Sequence, residues 1–264
     1  MMSRKRPSKE LSIGEIISET FAMYSANFMQ YLIPFLAAAV VTGLLTTLVS
    51  LAIVVPAFSP PNTPEQLWSW VWRLLGLIIA SAIVTGIISW IVGYIAQGIA
   101  VKFTSDILEK DQANLQTSFN FTMSRLLSIL AASIITGILI VVGLIALIIP
   151  GIILAIMFSL VVQTIIVEDT GALESLSRSR RLVSNRWLKT FGLLLVLYII
   201  LGIVSLIAGQ IARPFGLVGS LISSIITAFI QPILPIGLTL HYYSMMARTA
   251  PQPQPQPTQT TQSA

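Results

Sequence analysis

The apolar residues of this chain fall into six long runs separated by short polar or charged segments. The runs are Phe28–Val55, Trp72–Val101, Leu126–Ile149, Ile152–Val167, Thr190–Ile211 and Val218–Leu240. A helix needs roughly 20 apolar residues to cross a hydrocarbon core of about 30 Å. Five runs meet this length, and Ile152–Val167 requires a thinner bilayer or a helix that starts upstream. The pattern predicts an all-α fold, a polytopic transmembrane helical bundle of six spans.

An amphipathic segment precedes each pair of runs, with apolar residues three or four positions apart. The three apolar stripes are Ile13, Ile17, Phe21, Tyr24 and Phe28; Leu115, Phe119, Met123 and Leu126; and Leu173, Leu176, Val183 and Trp187. At about 100° per residue, each set occupies one face of a helix. A soluble-core helix shows the same periodicity, but each segment here runs directly into a span. We therefore expect three hairpins, each preceded by a cytoplasmic interfacial amphipathic helix.

The ends of the even-numbered runs resemble one another, which indicates a threefold repeat. Residues 96–103 (AQGIAVKF) read like residues 235–242 (PIGLTLHY), and residues 162–168 (VQTIIVE) belong to the same series. Pro232 and Pro235 interrupt the last run beside Gln231. Because proline removes a backbone hydrogen bond, the pair either opens the last span around a small polar pocket or only shapes its packing.

The lysines and arginines indicate the orientation of the chain. All of them except Arg73 and Arg213 fall on the side of the N-terminus, and such an excess marks the cytoplasmic side. We expect a multi-pass protein of the cell (plasma) membrane with both termini cytoplasmic and with outward turns at Pro150-Gly151 and Arg213-Pro214. Residues 1–10 form a basic cytoplasmic N-terminus, residues 11–248 the six-helix membrane domain, and residues 249–264 a disordered Pro/Gln-rich tail.

Residues suited to catalysis are scarce. The ten carboxylates lie outside the apolar runs without a metal-ligand spacing, cysteine is absent, and His241 is the only histidine. We therefore predict a protein without enzymatic activity, metal or cofactor. The net charge of +5 is explained by topology, so nucleic acid is not an expected partner. His241 is interpreted as an interfacial anchor, with a proton-relay role as the alternative.

Two sets of side chains are candidates for function. The intramembrane polar candidates are Gln97, Gln163, Gln210 and Gln231, which either join helices by hydrogen bonds or line a hydrophilic path. The lipid-headgroup candidates are Arg178, Arg180, Arg181, Arg186 and Lys189, because juxtamembrane basic clusters attract anionic lipids. Arg180 falls within the apolar stripe of its helix, so it must snorkel or meet a phosphate or a carboxylate such as Glu174.

Three segments carry a family resemblance: LSIGEIISETFAMYSANFMQYL, VEDTGALESLSRSRRLVSNRWLKTFGLLL and LTLHYYSMMAR. Together they resemble the glycerophosphoryl diester phosphodiesterase membrane-domain family of prokaryotic membrane proteins. The resemblance implies the membrane part only, since the chemistry of that family lies in a separate soluble catalytic domain that we do not expect here. The sequence Tyr242–Arg248 departs from the family, which often has an acidic residue and arginines after the tyrosine pair.

These observations favour a non-enzymatic integral membrane protein, an accessory or scaffold module that contacts anionic lipid. Its expected partners are membrane lipids and a separate membrane or soluble protein. A transporter or channel for a small or lipidic solute is the alternative, although no ionisable residue lies deep in a run, as ion-coupled transport usually requires. A membrane-embedded phosphodiesterase is the third possibility.

Overall fold

The computed structural model describes residues 6–57 and 63–249, and within them every regular element is a helix. The helices are α1 (Ile13–Ala26), α2 (Phe28–Ala57), α3 (Pro64–Lys110), α4 (Leu115–Ala146), α5 (Ile148–Met157), α6 (Val161–Glu168), α7 (Ala172–Val183), α8 (Trp187–Ala212), α9 (Gly219–Ala228) and α10 (Ile233–Thr249). Short 3-10 segments, Ser184–Arg186 and Arg213–Val218, flank α8. The all-α prediction is confirmed. The predicted tail lies, apart from Thr249, outside the described residues.

Several helical stretches are long and apolar enough to cross a membrane. By length and composition, the described residues contain five: Phe28–Ile53, Gln66–Lys110, Leu115–Ala146, Ile148–Glu168 and Ala172–Arg248. The last stretch includes α8 and the α9–α10 pair, which the sequence pattern counts as two spans. The fourth helical stretch starts at Ile148, upstream of the apolar run Ile152–Val167. The additional residues give it the length to cross a membrane that the run alone lacks.

The turn between α4 and α5 lies at Leu147, whose backbone is extended. The prediction of a turn at Pro150-Gly151 is wrong, because both residues lie in the first turn of α5. Proline is tolerated there since its missing N–H would have no partner in the helix. Gly151 packs against α4 so closely that an added Cβ would lie 2.5 Å from the Leu144 Cγ atom.

Two apolar stretches are broken in the middle. The chain leaves helical geometry at residues 158–160, between α5 and α6, and at residues 229–232, between α9 and α10. In the alignment that the repeat provides, Ser159 in the first break corresponds to Pro232 in the second. The matching position in the continuous helix α3 is Gly93. The same place in each repeat therefore has a broken helix or a glycine.

Three helix pairs pack alongside one another at small residues. An added Cβ on Gly98 of α3 would lie 2.5 Å from Thr122 Cγ2 of α4, and one on Gly237 of α10 would lie 3.3 Å from Thr20 Oγ1 of α1. In the third pair, Thr164 Oγ1 of α6 lies 3.3 Å from the Ser175 carbonyl oxygen of α7. Gly98, Thr164 and Gly237 are equivalent in the repeat alignment, so the three contacts are alike. Two join successive segments, and the third brings α1 against the last described helix.

The amphipathic segments bury only part of the predicted apolar stripes: Tyr24, Leu176 and Val183 are buried. The residues they bury include Thr20 in α1, Ser118 and Thr122 in α4, and Ser175 and Ser179 in α7. Large apolar residues of the stripes, among them Phe21, Phe119 and Leu173, remain exposed. Small residues allow two backbones to approach closely, which is the usual way helices associate in hydrocarbon.

Helix α10 lies at the centre of the molecule. Its residues from Pro235 to Met245 are all buried, and it contacts α1, α3, α6, α7 and α8. A helix that is buried on every side must satisfy its polar side chains against protein rather than water. The sequence His241-Tyr242-Tyr243 lies within this segment.

Candidate functional site

Three neighbouring cavities follow the middle of α3. Cavity 1, of about 420 Å³, lies among α3, α4, α5, α6, α8 and α10. Cavity 2, of about 300 Å³, shares Tyr94, Gln97 and Leu234 with cavity 1. Cavity 3, of about 330 Å³, shares Ser89, Gly93 and Gln231 with cavity 2. Because each cavity shares wall residues with the next, they form one series, which we call the cavity series.

The cavity series passes the helix breaks and their counterpart in α3. Phe158 and Ser159 from the first break line cavity 1. Gln231 from the second break lines cavities 2 and 3, as does Gly93. Interrupted helices that meet at a polar cavity are a recurring way of building solute sites inside membranes. This series is therefore the main candidate site.

The four predicted glutamines separate into three groups. Gln97 and Gln231 are brought together, since both line cavity 2. Gln163 is fully buried in α6, and neither of its amide atoms has a hydrogen-bond partner within the described residues. Gln210 is exposed near the end of α8 and lines none of the three cavities.

Side chains from neighbouring helices satisfy the backbone at both breaks. At the first, Ser179 of α7 donates from Oγ to the Met157 carbonyl oxygen at 2.7 Å and accepts from the Leu160 N–H at 3.2 Å. At the second, the Tyr24 hydroxyl of α1 donates to the Phe229 carbonyl oxygen at 2.6 Å. An unpaired buried carbonyl or N–H would cost about 1–3 kcal/mol. The amphipathic helices α1 and α7 thus support the breaks.

Three consecutive residues of α10 bind three different helices at the charged end of the bundle. His241 Nε2 lies 2.9 Å from Thr190 Oγ1 of α8. The Tyr242 hydroxyl donates to Glu168 Oε1 of α6 at 2.6 Å, and the Tyr243 hydroxyl donates to Glu109 Oε1 of α3 at 2.5 Å. Successive helical side chains point about 100° apart, so only a central helix can make such contacts. His241 is fully buried, and its interpretation as an interfacial anchor is wrong.

Both glutamates that accept from these tyrosines are also paired with an arginine. Arg178 Nε lies 2.8 Å from Glu168 Oε1, and Arg6 forms an ion pair with Glu109. Each tyrosine therefore donates to a carboxylate whose charge is already balanced. The two Tyr–Glu–Arg groups fix α10 to α6 and α7 on one side and to α3 and the N-terminal segment on the other.

The five lipid-headgroup candidates separate into paired and unpaired residues. Arg178 is held by Glu168, and Arg186 and Lys189 both bind Glu10 Oε1, at 3.2 and 2.6 Å. The Lys189 hydrogen bond lowers the pKa of the Glu10 carboxyl below its ordinary value of 4.5. The exposed side chains of Arg180 and Arg181 have no ion pair within the described part of the chain, so Arg180 does not pair with Glu174.

Sequence reasoning missed Ser179, Glu168 and the tyrosine pair as structural contacts. One signal for Ser179 was available in the sequence. It lies four residues after Ser175, so the two serines share a face of the basic helix, and buried polar side chains usually have hydrogen-bond partners. Among the described residues, no group of three or more histidine, cysteine, aspartate or glutamate side chains could hold a metal ion.

The comparison with known proteins overturns the family resemblance drawn from the sequence. The family model that matches is "Domain of unknown function (DUF7847)", over residues 15–261, and not the glycerophosphoryl diester phosphodiesterase membrane domain. No curated protein and no solved structure matches the chain. The segments that carried the resemblance are short, and several of their residues, among them Arg178, Ser179 and the tyrosine pair, make contacts that join α7 and α10 to neighbouring helices. The matched region covers nearly the whole sequence, and the chain belongs to the DUF7847 family.

Proposed function

We propose that this chain is a six-span integral membrane protein of the plasma membrane that binds a small or lipidic solute in the cavity series, as a transporter or channel does. The observation that carries the proposal is that residues from two helix breaks and Gly93 line adjoining cavities whose walls carry uncharged polar groups among apolar residues. Their volumes are in the usual range of ligand pockets, about 300–1,000 Å³. None of the described residues that line these three cavities is charged, which favours a neutral solute and argues against ion coupling.

The proposed topology has three hairpin units, α2–α3, α4–α6 and α8–α10, with both termini and the charged end in the cytoplasm. The three similar contacts, α3 with α4, α6 with α7 and α10 with α1, support a ring of three units closed by α1. The positive-inside rule supports the orientation, since most of the basic residues gather at one end.

Filling the cavities tests the function. Gly93 has open space around it and lines cavities 2 and 3, and Ala155 lines cavity 1. We expect the double variant Gly93→Leu with Ala155→Phe to fold and to lose a small molecule or lipid that native mass spectrometry finds on the wild-type protein. Gly86→Leu is the matched control, because Gly86 lies two turns away on the same face of α3 and lines none of the three cavities. Equal occupancy in all three proteins contradicts the proposal.

A second candidate is an accessory or scaffold module that contacts anionic lipid. Arg180 and Arg181 favour it, because both are exposed and form no ion pair with the residues that the structure describes. Substituting both with glutamine should then reduce co-purifying anionic lipid, whereas Arg178→Gln should leave it unchanged because Arg178 is held by Glu168.

Neither candidate involves catalysis. We expect no hydrolysis of a glycerophosphodiester by the purified protein, measured against a heat-denatured control.

A further inference from the structure

Exposed residues of α5 and α8 in the wall of cavity 1 indicate that it opens at its side, between these two helices. Four large apolar residues that line it are also exposed: Ile152 of α5 at 42%, and Phe191, Leu195 and Tyr198 of α8 at 39%, 47% and 58%. At 1.5 Å per residue, Tyr198 lies about 13 Å along α8 from Lys189 in the charged layer. The opening therefore lies in the apolar surface of the bundle, where a bilayer and not water would face it.

The polar groups in the wall of cavity 1 are uncharged. They are the hydroxyls of Tyr94, Ser133, Thr136, Ser159 and Tyr198 and the amide of Gln97. An ion at this depth would lack a counter-charge, and its desolvation would cost several kcal/mol. The remaining wall is apolar. The wall therefore suits a neutral molecule with an apolar body and a small hydrogen-bonding group.

The hydroxyls in the wall also restrict that hydrogen-bonding group. Ser133 already donates its hydroxyl to the Leu130 carbonyl oxygen, and Ser159 donates to the Ile156 carbonyl oxygen, both at 2.8 Å. A hydroxyl that has donated its only proton can still accept. Thr136 Oγ1 is buried without a hydrogen-bond partner in the described residues. A ligand hydroxyl could donate to the hydroxyl oxygen of Ser133 or Ser159 and accept from Thr136 Oγ1. Thr136 would then have the hydrogen-bond partner that it lacks among the described residues.

We propose that cavity 1 binds a neutral glycerolipid with a free hydroxyl, of the diacylglycerol class, which enters from the bilayer between α5 and α8. The inference rests on the proposed function and names the ligand class of cavity 1, the largest cavity of the series. The acyl chains extend through the side opening past Leu195 and Tyr198, and the hydroxyl lies toward Thr136 and Ser159.

The test uses the full chain in nanodiscs with a photoreactive diacylglycerol. We expect crosslinks on peptides from α5 and α8, competition by unlabelled dioleoylglycerol, and no competition by the same amount of phosphatidic acid. Thr136→Val keeps the side-chain shape but removes a hydrogen bond of about 1 kcal/mol, so labelling should fall about fivefold. Thr85→Val, in the apolar part of α3 and outside the three cavities, should label like wild type.

Equal competition by phosphatidic acid, undiminished labelling of Thr136→Val, or crosslinks elsewhere would each overturn this ligand assignment. These outcomes are separate from failure of the proposed function. If the cavity-filling double variant loses a bound molecule that proves to be charged, the cavity series binds a solute and the assignment to diacylglycerol is wrong. If no bound molecule depends on the filled positions, the proposed function itself fails.

Discussion

At the scale of single residues, Ser179 replaces the helical hydrogen bonds that the break between α5 and α6 removes. One hydroxyl serves both the Met157 carbonyl and the Leu160 N–H. We expect Ser179→Ala to lower the stability by about 1–3 kcal/mol, because both backbone groups are left without this partner in a buried place. Thermal unfolding in detergent should show a loss of several degrees. Ser177→Ala, at an exposed position of the same helix, is the control. Equal melting temperatures for the two variants would rule out this role.

The ion pair of Glu10 with Lys189 makes a pH-dependent contribution to the stability of the folded protein. Its pKa is lowered in the folded protein by the Lys189 hydrogen bond, so its stabilising effect is fully present above 4.5 and is lost as the pH falls through the lowered pKa. We expect Glu10→Gln to cost about 1 kcal/mol or less at pH 7, since the pair is partly exposed. The difference from wild type should shrink below pH 4.5. Glu19→Gln, at an exposed position of α1 without an ion pair among the described residues, is the matched control and should be as stable as the wild type at pH 7.

At the scale of elements, apolar periodicity predicted where helices occur but not which faces they bury. The sequence interpretation turned the apolar stripes toward the membrane interface, and exposed stripe residues such as Phe21, Phe119 and Leu173 leave that face open. The stripes did not identify the face that packs on the protein. That face includes the small residues Thr20, Thr122 and Ser179, which allow the helix backbones to approach closely. The breaks also escaped detection at Phe158-Ser159-Leu160, because nothing in those residues forbids a helix. Only Pro232 gave a local signal, and it fell in the second break.

The contact between α3 and α4 depends on a glycine. An added Cβ on Gly98 would overlap Thr122 Cγ2, so we expect Gly98→Ala to cost about 1–3 kcal/mol. Gly237→Ala should cost less, because its Cβ would lie no closer than 3.2 Å to a neighbouring atom. Gly86→Ala meets open space and should be neutral or slightly stabilising, since alanine favours a helix. Thermal unfolding of the three variants should give the lowest melting temperature for Gly98→Ala and the highest for Gly86→Ala. Equal melting temperatures for these two variants would contradict the prediction.

At the scale of the whole molecule, the proposed six-span topology can be mapped with cysteines in the cysteine-free chain. Exposed positions are needed, and the structure offers Thr63 and Leu217 at one end and Ser8, Gln112 and Ser177 at the other. We expect an impermeant thiol reagent to label the first two in intact cells and the other three only after permeabilisation. Labelling of Gln112 without permeabilisation would exclude the proposed arrangement.

The candidate site was only partly predictable at this scale. Gln97 and Gln231 were recognisable in the sequence as amides in apolar runs. They lie more than a hundred residues apart, however, and the packing of α3 beside the second break is what brings them to one cavity. The side opening at Tyr198 depends on the spacing between α5 and α8. The spacing between two helices cannot be predicted from the residue pattern or the composition of either helix alone.

The docking of α1 against α10 has a consequence for how the protein is made. The ribosome completes α1 long before its partner: at roughly 5–20 residues per second, the intervening helices take about 10 to 40 s to translate. Throughout that interval the Ile16 and Thr20 face of α1 has no α10 to cover it. Two nascent chains made side by side can therefore exchange this helix, which is the basic event of a domain-swapped dimer.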